Sequence, residues 1–289
     1  MAKTQGLKRR IRSVRNAGQI TKALEVVAAA RMRKIQELVG RSRTYGELAD
    51  SILRRIAPSQ EAAQSVYFRG NDSRQKLYIV FNSDRGQAGA FNSNIFNLAN
   101  QTVIDDRKQG MNPNVIAYGR KGTNHFARIS DIKLAGAYED VEDSPKPDFF
   151  APVLETIISG FKDGAYGAVD ILFTEFRSSL NQQALRFPLL PINLPAQTSP
   201  SEQTVYEFEP DMETVIEQGV HIYIEAKIMQ ARIESAASEN AMRMVAMGNA
   251  HRNASDLIEN LTLELNSLRQ AAITQEIAEI TGGSEAVTV

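Results

Sequence analysis

The chain of 289 residues contains no cysteine, which excludes a disulfide framework, a thiol redox switch and any thiolate metal site. Its three histidines, His125, His221 and His251, lie far apart with no two of them at i, i+4, so no metal and no cofactor is expected. No run of about 18 apolar residues is present to span a bilayer. The N-terminus lacks the apolar core of a signal peptide. These absences predict a soluble intracellular protein. The glycine-containing stretch Ser83 to Asn92 matches neither G-x-G-x-x-G nor the loop that ends in Lys-Ser or Lys-Thr, and no G-x-S-x-G elbow occurs. Gly86 and Gly89 therefore read as turn residues, and no catalytic residue is assigned. The carboxylates Glu139, Asp140, Glu142 and Asp143 sit in a proline-containing polar segment and read as a solvated loop.

Proline is also missing from two long stretches, Thr4 to Ile56 and Met212 to Ile280. In the first, Leu7, Ile11, Val14, Leu24, Ala28, Ile35, Leu38, Tyr45, Leu48, Ile52 and Ile56 recur at helical steps. In the second, Val215, Ile222, Met229, Ile233, Met244, Met247, Leu257, Leu261, Leu265 and Leu268 do the same. At 1.5 Å per residue such helices run roughly 80 and 100 Å, far beyond the about 11 to 12 residues of an average helix. Neither fits inside one compact core, so the two stripes are expected to pair as an antiparallel coiled coil. Residues 1–43 carry twelve Lys or Arg against two Glu, and residues 202–289 carry fifteen acids against five bases. The overall charge of −1 conceals this asymmetry, which points to an interaction surface as well as to mutual neutralisation. Small residues (Ala23, Ala28, Ala29, Ala30, Ala231, Ala236, Ala237, Ala241, Ala246 and Ala250) stand where a stable zipper has leucine, so the pair is expected to need a protein sheath.

The middle follows another pattern. Lys76 to Phe81, Asn114 to Gly119, Ile132 to Tyr138 and Ala168 to Phe176 read as strands. Asn92 to Lys108 and Asp148 to Lys162 read as helices, and together they give a small Rossmann-like α/β domain. The prolines at 188, 191, 195 and 200 close it and mark a linker. The resulting organisation is an N-terminal coiled-coil helix over 1–57, an α/β domain over 74–195, and a C-terminal helix over 210–289 that pairs with the first. A basic coiled coil that binds nucleic acid, and a Rossmann-like enzyme with a helical appendage, are the alternatives in other classes. No aromatic residue interleaves the N-terminal bases to stack on nucleobases.

Ile11 to Asn16 followed by Gln19 to Lys34 closely resembles the opening helix of the gamma-subunit family of F-type ATP synthases. Ser83-Asp84-Arg85-Gly86 with Gly89-Ala90-Phe91-Asn92 resembles that family's loop after its first strand. Ala237 to Met247 and Arg269 to Ile280 resemble its last helix. The chain departs from the family pattern at Gln19, Leu24, Gln87, Ala88 and Ser267, and it lacks the cysteine-bearing insertion of chloroplast members. The resemblance implies a non-catalytic rotor shaft of bacterial type that couples ion flow to the catalytic cycle of the beta subunits. Its implied partners are the alpha and beta subunits, an epsilon subunit and the c-ring, with no nucleic acid. Its implied place is the cytoplasmic face of the cell membrane, held peripherally through the complex. Carried over position by position, Lys22, Leu24, Arg243, Arg269, Gln270, Thr274 and Glu276 are the expected contacts with the alpha-beta ring.

Overall fold

The computed structural model describes residues 2–143, 147–194 and 208–287. Met1, Pro195, Pro200 and the last two residues of the expected C-terminal helix lie outside them. In chain order the elements are α1 (Ala2–Ile56), α2 (Gln60–Gln64), α3 (Val66–Arg69), β1 (Gln75–Phe81), α4 (Phe91–Lys108), β2 (Asn112–Tyr118), α5 (Arg120–Phe126) and β3 (Lys133–Tyr138). A 3-10 turn (Pro147–Phe150), α6 (Ala151–Lys162), β4 (Ala168–Phe176), β5 (Gln182–Leu190) and α7 (Met212–Val287) follow. They form two compact units, one of Met1–Ala28 with Met244–Val289 and one of Ala29–Arg243. Among the described residues no helix is long and apolar enough to cross a membrane.

The larger unit is built on a mixed sheet of order β3-β2-β1-β4-β5. The first four strands run parallel and β5 is antiparallel to β4. Parallel strands covered on both faces read as near-continuous apolar runs, and Leu77 to Phe81 are all at most 1% exposed. One face packs Ile79, Phe81, Ile116 and Ile171 against α6, the end of α1 and the first half of α7. The other packs Tyr78, Val80 and Val115 against Ile95, Ala99 and Val103 of α4 and Phe126 of α5.

Sequence reasoning ended the sheet at Phe176 and took Pro188 into a linker. Pro188 instead lies within β5, in register with Asp170. A proline is tolerated there because β5 is an edge strand, where one row of backbone donors has no ladder partner to lose.

The expected stripe on α1 also shifts. In the larger unit the buried positions are Met32, Ile35, Val39, Ser42, Gly46, Ala49, Leu53 and Ile56, in alternating steps of three and four. That is the 3.5-residue repeat of a coiled-coil seam. Tyr45, Leu48 and Ile52, assigned to the seam by their hydrophobicity, are 40%, 58% and 41% exposed. The true seam is occupied by Ser42, Gly46 and Ala49 because α7 approaches closely: a methyl on Gly46 would stand 2.6 Å from Gln230 Oε1.

A polar cluster lies largely inside the larger unit, with Arg186 at its exposed margin. Lys76 Nζ lies 3.0 Å from Asp106 and 2.9 Å from Asp170, and Arg186 Nε lies 2.7 Å from Asp170. The Tyr78 hydroxyl donates to Asp106 at 2.6 Å. Burial, then the Asp106 bond, holds the Tyr78 proton well above the usual phenol range. Two cations against two carboxylates leave no net charge, so the cluster joins β1, α4, β4 and β5 rather than forming a reactive centre.

Candidate functional site

The helix pair carries the site in two parts, one in each unit. In the smaller unit the helices run antiparallel. His251 Nδ1 lies 2.9 Å from the Gly18 carbonyl oxygen, a methyl on Gly18 would touch Ala254 at 3.3 Å, and one on Gly248 would stand 3.4 Å from the Glu25 carboxyl carbon. The same progression leads to Leu7 and Leu261, 9% and 4% exposed. Small residues at 18, 248 and 254, rather than the alanines picked out in the sequence, allow close approach here.

Beyond Leu268 the pairing ends, and every residue from Arg269 to Ile280 is exposed. This segment holds four of the seven expected contact residues. Thr274 donates from Oγ1 to the Gln270 carbonyl at 3.0 Å, so these two share one face. Arg269 and Glu276, seven residues apart, share another. Ile273, Ile277 and Ile280 are 45%, 59% and 73% exposed. A solvated helix rarely keeps such a row of isoleucines unless another surface covers it. Lys22 is 52% exposed and pairs with Glu25 at 3.2 Å, while Leu24 is half-buried.

Arg243 belongs to the larger unit and faces inward. Its Nη2 donates to Glu239 Oε1 at 2.6 Å and to the Gly86 carbonyl at 3.4 Å, and its side chain is 14% exposed. Burial raises the Glu239 carboxyl above its usual range, and the Arg243 cation opposes that shift. Arg243 is thus engaged inside the larger unit, unlike the exposed residues Arg269, Gln270, Thr274 and Glu276.

What sequence reasoning missed is the anchorage of α7 in the larger unit. Arg43 donates from Nε and Nη2 to the two oxygens of Glu234, each at 2.9 Å, and from Nη2 to the Phe176 carbonyl at 2.8 Å. Glu234 Oε2 accepts the Phe176 N–H at 3.1 Å, and the guanidinium of Arg43 is held charged first by its bonds to Glu234. Ser235 Oγ accepts the Thr174 N–H at 3.2 Å, and Ser238 Oγ donates to the Thr174 carbonyl at 3.1 Å. Arg232 donates to the carbonyls of Val141 and Glu142, both at 2.8 Å.

Between these polar residues Ala231, Ala236, Ala237 and Ala241 are at most 2% exposed. The alanines expected to call for a protein sheath here are covered by the chain's own sheet, and they let α7 lie against it closely enough for its side chains to reach strand-end backbone. The available signal was four polar residues, Arg232, Glu234, Ser235 and Ser238, set among consecutive alanines. In the segment read as a solvated loop the side chains of Glu139, Asp140 and Glu142 are exposed, with Glu139 and Asp140 pairing with Arg120 at 3.0 and 2.7 Å. Its backbone nevertheless joins the anchorage, since the carbonyl of Glu142 holds Arg232.

The site has the features of a mechanical element. One stretch of α7 is bonded to the carboxyl end of β4 and to the loop after β3, and another, from Arg269 to Ile280, is exposed throughout. Comparison with known proteins agrees. A family model described as ATP synthase matches residues 3–287. The ATP synthase gamma chain of Desulfitobacterium hafniense is 36% identical over 287 residues, covering 99% of this chain and all of that one. That of Pelotomaculum thermopropionicum is also 36% identical, with the same coverage. Among solved structures, the rotor of the Euglena gracilis mitochondrial ATP synthase matches with a TM-score of 0.68 at 18% identity, covering 94% of this chain and 99% of that one. The central stalk and c-ring structure of the Tetrahymena thermophila mitochondrial enzyme contains a chain that matches with a TM-score of 0.61 at 19% identity, covering 80% and 99%. With full-length matches to both the family and its relatives, this chain belongs to the ATP synthase gamma chain family.

Proposed function

We propose that the chain is the central-stalk rotor subunit of the F1 sector of an F-type ATP synthase. It couples ion flow through the membrane sector to conformational cycling of the catalytic beta subunits. It is itself non-catalytic, and it works with the alpha-beta ring, an epsilon subunit and the c-ring at the cytoplasmic face of a bacterial membrane.

The observation that carries this reading is the contrast within α7. Residues 231–238 are all buried and bonded to strand ends, which suits a segment that must receive torque from its domain without slipping. Residues 269–280 are all exposed and carry isoleucines together with Arg269, Gln270, Thr274 and Glu276. That suits a segment that turns inside a sleeve, since exposed ion pairs and shallow apolar contacts fix no single angle. Lys22 and Leu24 are assigned to the same sleeve on α1. Arg243 is assigned a positioning role through Glu239 and Gly86.

Reconstitution with alpha and beta subunits tests the proposal. The chain is expected to co-assemble, and simultaneous replacement of Gln270, Thr274 and Glu276 by alanine is expected to abolish ATP-driven rotation while assembly persists. A chain with no affinity for an alpha-beta hexamer overturns the reading.

A further inference from the structure

A cavity of about 240 Å³ opens in the larger unit where the carboxyl ends of β1 and β2 meet α1 and α7. In doubly wound sheets this is where ligands lie: outside the carboxyl ends of the strands, near the strand from which the order runs both ways, here β1.

Its wall includes Tyr118, whose ring is clamped between Phe81 and Tyr138 with centroids 4.9 Å away on either side. Tyr118 is 1% exposed, and its hydroxyl has no hydrogen-bond partner among the described residues. A buried hydroxyl left without a partner is costly. Asn82 also contributes to the wall, but its carboxamide is turned toward Gly122 on the other side of β1.

Four arginines converge on the cavity, at 31, 85, 232 and 243, with four carboxylates. Most of the carboxylates are already engaged. Asp84 Oδ1 accepts the N–H groups of Arg120 and Asp140 at 2.9 and 3.0 Å. Asp140 pairs with Arg120 at 2.7 Å and Glu239 with Arg243 at 2.6 Å. Arg232 spends three bonds on backbone carbonyls, and Asp143 stands off at 3.8 Å. Arg31 and Arg85 lie at the exposed rim, and no carboxylate among the described residues pairs with either at salt-bridge distance.

Besides Asp143 and the Asn82 carboxamide, which also lacks a partner among the described residues, the groups left over are two guanidiniums and a phenol, all able to donate, and a ligand rich in acceptors satisfies these three together. The volume is below the roughly 300 Å³ of the smallest ordinary cofactor pockets, so the group that enters is small. We propose that this cavity is a binding site for a small oxyanion of the phosphate type, held by Arg31 and Arg85 at the rim and by the Tyr118 hydroxyl within. The inference is independent of the shaft assignment.

Equilibrium dialysis of the full-length chain against radiolabelled inorganic phosphate at constant ionic strength tests it. Saturable binding at one site is expected, with sulfate competing. Tyr118→Phe keeps the ring stack and removes only the hydroxyl, and Arg85→Ala alters an exposed side chain. Each is expected to weaken binding by about tenfold with the fold intact by circular dichroism. If ADP competes at lower concentration than phosphate does, the oxyanion is the terminal phosphate of a nucleotide. If it competes no better, the oxyanion is the free anion. The proposal is overturned if millimolar phosphate gives no saturable binding, if both variants bind as the parent does, or if crystals soaked in phosphate hold only water in the cavity.

Discussion

Two stretches of α7 have the same secondary structure and opposite surroundings. From Tyr223 to Ala241 no residue is exposed, whereas from Arg269 to Ile280 none is buried. In the first stretch alanine, serine and paired charge stand among buried isoleucines, because both α1 and the sheet press against the helix. In the second, isoleucine, glutamine, threonine and charge are all exposed to solvent. Composition alone does not separate the two, since each mixes alanine, isoleucine and glutamate. What separates them is whether the chain supplies its own cover.

The comparison breaks most severely at Glu234. Its side chain is 2% exposed while that of Arg43 is 39% exposed, so Glu234→Ala leaves a buried Phe176 N–H unpaired but lets the guanidinium turn to water. A loss of about 3 kcal/mol is expected in urea unfolding, at the lower end for a broken buried pair. An unchanged midpoint would mean that the clamp does not hold α7. A smaller effect is expected from one substitution made in both stretches. Ala237→Leu overfills the contact with the sheet and is expected to cost about 1–3 kcal/mol. Ala272→Leu is expected to stay within about 0.5 kcal/mol for the chain alone. Equal costs would erase the distinction between the two stretches.

Replacing Gln270, Thr274 and Glu276 together is expected to change the stability of the isolated chain by less than about 1 kcal/mol while stopping rotation in the assembled complex. A large loss of stability in the isolated chain would instead place the three residues within its own core.

The smallest effect concerns Glu239, at the edge of the gripped stretch. Its folded carboxyl titrates above the ordinary value of 4.5. Between the ordinary and the raised value the folded chain still holds a proton that the unfolded chain has lost. The contribution of this group to stability is therefore fullest below 4.5, falls as pH rises across that interval, and levels off above it. Glu239→Gln is expected to flatten that slope in unfolding curves measured across the acidic range, and an unaltered slope would assign the proton to another group.

Much of this was legible in the sequence, and the misses have specific causes. The absence of proline, with steps of three and four, marked both long helices, and the apolar runs at Leu77 to Phe81 and Val169 to Phe173 marked central strands. The exposed segment from Arg269 onward stood out only through its family motif, because nothing in a helical period reveals where a partner helix stops. The seam slipped at Tyr45, Leu48 and Ile52 since a hydrophobic reading prefers large apolar residues, and here the closest approach selected Ser42, Gly46 and Ala49. Strand β5 was lost to Pro188, because edge and centre cannot be told apart before the sheet is assembled. Arg232, Glu234, Ser235 and Ser238 gave a local signal, but their partners lie 58 to 191 residues away in the chain.

The sequence by itself determined that this protein has two uninterrupted helices, a parallel-strand domain between them, no thiol chemistry and a recognisable family, because propensity, period and motif are properties of neighbouring residues. Only the tertiary structure decided which face of each helix is the seam, that α7 is bonded to the strand ends, that Arg243 turns inward and that a donor-rich cavity forms beside Tyr118. Each of those depends on groups far apart in the chain being brought within bonding distance, and on how much space their side chains leave.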